Sequence, residues 1–235
     1  MPEPFPDSIK SFEIDASDAG LKRPILAAEA GRIFAKWANV ELTLGSMVAV
    51  LVGDMGALAV LDSIRARNSQ MDAIRAIAAE RIVHGETLAL LKPVFGLIDR
   101  AAKPRNKLAH CVWGTIPQLP DALLLCEPKA MLKVSRSSLQ MDGTRTTEAP
   151  TESKISFEHG YKTSNDAALA LIKTMRDGTE VWRQADFNRP RALLDASIIA
   201  LAQLTVAISG DPLTQAAAQA RAQLVSHLQK SEAPG

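Results

Sequence analysis

Arg105, Asn106 and His110 fall within the six-residue string Arg105-Asn106-Lys107-Leu108-Ala109-His110, with Trp113 and Gly114 close behind. These residue types suit phosphate chemistry: a guanidinium grips two phosphate oxygens at once, and an imidazole exchanges a proton near neutral pH. A spacing of four puts Asn106 and His110 on one face of a helix and Arg105 on the neighbouring flank, so all three can address one phosphate. Lys103, Lys107 and Arg100 can extend that surface, although solvated helix faces explain such charges equally well, and Glu41 is a further candidate for substrate binding.

The elements around the string follow from apolar spacing. Pro24 suits the first turn of a helix running to about Val52, with Ile33, Trp37, Val40, Leu44, Met47 and Leu51 recurring at threes and fours. Glu41 lies one turn beyond Trp37 on or beside that stripe, where a carboxylate needs either a partner or a path to water. Gly53-Asp54 closes the helix. Short helices are expected over Ala57 to Arg67 and, capped by Asn68 or Ser69, from Gln70 to about Val83 with Met71, Ile74, Ile77 and Ile82 inward. Glu86 to Ala102 reads as a further helix kinked at Pro93. Lys103-Pro104 is expected to break it and begin another, placing Arg105 and Asn106 in a first turn whose free N–H groups and dipole would favour an anion.

From Gly114 to about Thr163 the texture shifts to Pro, Ser, Thr and Gly with short apolar runs at Ala122 to Cys126, Leu132 to Val134 and Ile155 to Phe157. That segment predicts a small β-ribbon or irregular insertion, with a mobile loop over Met141 to Lys154. Ser164-Asn165-Asp166 caps a helix from Ala167 to about Trp182. Arg191 to Ser209 is the most apolar helix, and Asp211-Pro212 opens a last one to about Lys230. The expected fold class is therefore all-α, an antiparallel helical bundle: a polar leader over 1–23, then a single helical domain over 24–235 with an insertion at about 114–163.

Composition narrows the function classes. The chain has 235 residues, 47% hydrophobic and 4% aromatic, a balance that suits packed helices. Lys and Arg total 27 against 26 Asp and Glu, so no global field draws it to nucleic acid or an anionic membrane, and any such contact must be local. The stretch from Arg65 to Lys107 does lean basic. Cys111 and Cys126 fit no metal-ligand spacing and read as buried free thiols, which with the absence of a signal-peptide pattern in Met1 to Gly20 points to the cytoplasm. No metal site or cofactor is expected. The longest uninterrupted apolar runs, such as Met47 to Val52 and Ala196 to Ala202, are too short to span a bilayer, so no membrane partner is expected. Trp113, beside Val112 and Ile116, reads as core; His84, His159 and His227 read as exposed. No nucleotide-binding glycine loop, zinc-protease motif or nucleophile elbow occurs.

The string RNKLAHCVWG, an R-x4-H pattern with asparagine directly after the arginine, resembles the signature of the HEPN (higher eukaryotes and prokaryotes nucleotide-binding) superfamily. The resemblance covers roughly Pro24 to Gly114, with the helix after Ala167 completing the bundle. It implies metal-independent endoribonuclease activity by a homodimer that brings two motifs into one cleft. His110 would serve as general base or acid, Arg105 would hold the scissile phosphate, and Asn106 would orient them. It also implies a toxin or phage-defence role beside an antitoxin or regulatory partner protein. The rival reading is a non-catalytic helical module that binds nucleotide, RNA or a protein; a purely structural helical protein would leave Arg105 and His110 far from any cleft.

Overall fold

The computed structural model describes residues 2–9, 12–53, 59, 63–64, 67–141, 154–156, 165–210 and 214–232. Most of the expected helix over Ala57 to Arg67, His159 and most of the loop expected over Met141 to Lys154 lie outside them. The described chain is mostly helical with a small antiparallel sheet. It divides into two compact units, one of residues 1–32 and 104–189, the other of residues 33–103 and 190–235.

The second unit is helical. Helix α2 (Pro24–Val52) contributes buried Ile33, Trp37, Val40, Leu44 and Met47, the periodicity read from sequence, and ends at Gly53, whose φ of 70° is the left-handed conformation that stops a helix. Helix α3 spans Arg67–Arg81, three residues earlier than the expected start, with Met71, Ile74 and Ala78 buried. Arg75 grips Asp99 through two hydrogen bonds of 2.9 and 3.1 Å, reaches Asp72 at 3.0 Å, and sits over the Phe95 ring at 5.3 Å. Instead of one kinked helix from Glu86, there are two, α4 (Gly85–Ala89) and α5 (Leu91–His110). Pro93 lies in the first turn of α5, where the N–H it lacks would be unpaired in any case. His84, expected to be exposed, is half-buried and caps α4 by accepting the Thr87 N–H at 3.4 Å. His227 is also half-buried, its ring nitrogen 3.0 Å from the Ala196 carbonyl. Helices α8 (Asn188–Ser209) and α9 (Gln215–Glu232) close the chain, and Lys36 ion-pairs with Asp195.

The first unit is mixed, and here the sequence reading needs correcting. The leader is not simply polar: it forms strands β1 (Glu3–Pro4) and β2 (Glu13–Asp15) and buries Phe5, Phe12 and Ile14, before the short helix α1 (Ala19–Lys22). Strands β3 (Val112–Gly114), β4 (Leu123–Cys126) and β6 (Thr179–Trp182) join β1 in an antiparallel sheet of order β1-β6-β4-β3, while β2 pairs with β5 (Lys154–Ser156). The helix expected to reach Trp182 is α7 (Asn165–Asp177), cut short by Gly178. A further helix, α6 (Pro128–Met141), replaces the short run read at Leu132 to Val134: Pro128 starts it, and Ala130 and Val134, one turn apart, are buried. Alternation splits the sheet. Val112, Leu124, Cys126 and Val181 join the core cluster with Phe5, Phe12, Ile14 and Met175 on one face, and Trp113, Leu125, Glu180 and Trp182 share the other. Gly114 is required by close packing, since a Cβ there would lie 2.5 Å from the Ile14 side chain.

Among the described residues two stretches, Pro24–Val52 and 184–209, are long and apolar enough to cross a bilayer by length and composition, which uninterrupted run length had understated. Core helices meet the same test, and both stretches carry buried residues.

Candidate functional site

Pro104 does not break the helix. It lies inside α5, which runs unbroken from Leu91 to His110. The apolar stripe explains this: Val94, Leu97, Ile98, Ala101 and Leu108 are all buried at helical spacing, so the face continues through the proline. A mid-helix proline costs about 3 kcal/mol; beyond it, burial of Leu108 returns about 2 kcal/mol, and the hydrogen bonds that Cys111 and Trp113 make to carbonyls of the last turn add about 1 kcal/mol each, so the continued helix offsets the cost. The consequence for the motif is a reversal. Arg105, Asn106 and His110 occupy the last turns of a helix, not the first, so no free N–H groups or positive dipole end await an anion there. That end instead offers carbonyls and a negative dipole that favours cations.

Those carbonyls are partly satisfied locally. The Cys111 N–H donates to the Lys107 carbonyl at 2.9 Å, and the Trp113 indole donates to the Leu108 carbonyl at 2.8 Å. Trp113 is therefore half-buried and fixes how the chain leaves the helix for β3.

Arg105 is half-buried, and its Nη1 donates to the Asn106 Oδ1 at 3.2 Å. Helical geometry alone separates Arg105 and His110 by about 140° around the axis, and Asn106 lies between them, about 40° from His110. The hydrogen bond thus links the guanidinium to the side chain that lies between Arg105 and His110 around the helix. His110 is exposed, and among the described residues its imidazole makes no hydrogen bond or ion pair. Lys107 is committed elsewhere: it ion-pairs with Glu180 on β6. The other oxygen of Glu180 accepts the Trp182 indole N–H at 3.2 Å, and the Trp182 ring meets Phe187 at 5.2 Å.

The thiols beside the motif are poor nucleophiles. Burial, then the charges of Glu127 and Glu180, push the Cys111 thiol up despite the opposing pull of Lys107. Burial raises Cys126 to about 11. Both stay protonated near neutral pH, which leaves no support for Cys-His catalysis here.

Arg105, Asn106, Lys107 and His110 all belong to the mixed unit. Arg100, Lys103 and Glu41 belong to the helical unit, where Lys103 is exposed and Arg100 half-buried with its Nη2 shielded from solvent. Glu41 has a partner as well as a path to water: exposed itself, it accepts the indole N–H of buried Trp37 at 2.8 Å. Glu180 and Trp182 are the residues that sequence reasoning missed. The only available signal was Gly178, which ends α7 and frees Thr179 to Trp182 to become a strand. Among the described residues no group of three His, Cys, Asp or Glu side chains is placed to hold a metal ion. No protein-family model, curated protein or solved structure matches the chain.

Proposed function

We propose that the protein is a metal-independent endoribonuclease that cuts RNA through Arg105, Asn106 and His110. In this reading the ribose 2′-OH attacks the adjacent phosphorus and the 5′-oxygen leaves, giving a 2′,3′-cyclic phosphate. His110 moves the proton to or from these oxygens, Arg105 balances charge on the phosphate, and Asn106 holds the guanidinium on the His110 side of the helix. The Arg105 to Asn106 hydrogen bond, beside a histidine left free and exposed, is the observation that carries the reading. The R-x4-H resemblance supports it further. Because the motif sits at a helix C-terminus, the phosphate is held by side chains alone, and a second copy of the chain supplies the rest of the cleft. A cytoplasmic homodimer, kept silent by an antitoxin or regulatory partner and released as a toxin or antiviral effector, fits this chemistry.

The test is incubation of wild type, Arg105→Ala and His110→Ala with a mixed-sequence structured RNA in excess EDTA, reading product length and 3′ ends. Wild type should leave cyclic phosphates, and each variant should lose roughly 100-fold or more in rate, as expected when a general acid–base or an oxyanion-stabilising group is removed. Intact RNA in every tube, with RNA still bound, would replace the nuclease with an RNA-binding module.

A further inference from the structure

A negative charge stands where an RNA site has least use for one. Glu180 ion-pairs with Lys107, which lies on α5 between Asn106 and His110. Glu180 is not a loosely placed surface acid: its backbone is held in the sheet opposite Leu125, and its second oxygen takes the indole N–H of Trp182, which is 1% exposed. The side chains of Lys107 and Glu180 remain 49% and 34% exposed, so a phosphate can reach the pair.

We propose that Glu180 is a charge screen for the RNA site: it neutralises Lys107 in the free protein and surrenders it only to an RNA phosphate that displaces the carboxylate. An RNA that places no phosphate at that point meets the Glu180 carboxylate instead, so Glu180 weakens its binding. This rests on the RNA-cutting reading above. An exposed pair of this kind is weak enough to be exchanged, and releasing it adds one phosphate contact to the salt dependence of binding.

The screen is tested by binding a labelled 20-nucleotide single-stranded RNA to the full chain in EDTA, every variant carrying His110→Ala so that the RNA stays intact. Glu180→Gln keeps an acceptor for Trp182 and removes only the charge. It should bind roughly twofold to fivefold tighter, with a log–log salt slope steeper by about 0.7. Lys107→Met alone should weaken binding roughly twofold to fivefold, because it removes the phosphate contact and leaves Glu180 uncompensated, and it should abolish the gain when added to Glu180→Gln. Unchanged or weaker binding by Glu180→Gln, while Arg105→Ala still weakens binding, would overturn the screen and leave the RNA reading standing. An absence of RNA binding in every variant would overturn both.

Discussion

In the helical unit, α2 buries Val40, Leu44 and Met47 from positions three and four apart, so its core is written in local spacing. The mixed unit instead assembles one sheet from residues 3–4, 112–114, 123–126 and 179–182, so its core depends on segments far apart in the chain. The motif side chains from Arg105 to His110 lie in the second kind of structure. The Lys107–Glu180 ion pair is thereby tied to non-local pairing, since Glu180 reaches Lys107 from 73 positions away.

Two glycines probe that difference most sharply. At Gly114 an added methyl would press on Ile14 at 2.5 Å, so Gly114→Ala should cost about 1–3 kcal/mol, read as a lowered urea midpoint. Native-like stability in that variant would mean that the β2 to β3 packing yields easily. In the helical unit a smaller loss is expected from Glu41→Ala, about 1 kcal/mol, because it removes an acceptor of a buried indole N–H. Glu41→Gln, which keeps an acceptor, should be nearly neutral. Gly45, mid-helix in α2, gives the opposite sign to Gly114, because a methyl added there would meet nothing within 4 Å. Gly45→Ala should stabilise by about 0.5–1 kcal/mol, raising the thermal midpoint.

The smallest effect is electrostatic. Hydrogen bonds from Lys22 and Ser17 hold the Asp15 carboxyl down from 3.8 to about 2. A depressed folded pKa contributes stability that is present above pH 4 and is lost as pH falls from about 4 toward 2. For a partly exposed pair that contribution is about 0.5 kcal/mol. Between pH 5 and pH 2 the thermal midpoint of Asp15→Asn should therefore fall slightly less than that of wild type. Parallel curves would remove Asp15 from the acid sensitivity of the mixed unit.

Helix α2 and the last two helices were legible because amphipathic periodicity is a local property, and a small β insertion was expected where β4 and β5 form. The bounds and pairing of the strands were not legible. Leu123 to Cys126 is a continuous apolar run with no alternation, because both faces of that strand are buried, and β1 has only two residues. Pro104 misled in the other direction, since a local breaker rule met a buried stripe that extended past it.

The amino-acid sequence by itself determined which chemistry is available, an arginine, an asparagine and a histidine at helical spacing, and that the chain is mostly helix. Only the tertiary structure decided that these residues end a helix rather than begin one, and that Glu180 occupies Lys107. The physical reason is range. Propensity and periodicity act within a few residues, whereas the burial that carries α5 through Pro104 and the sheet that places Glu180 exist only once distant segments have packed.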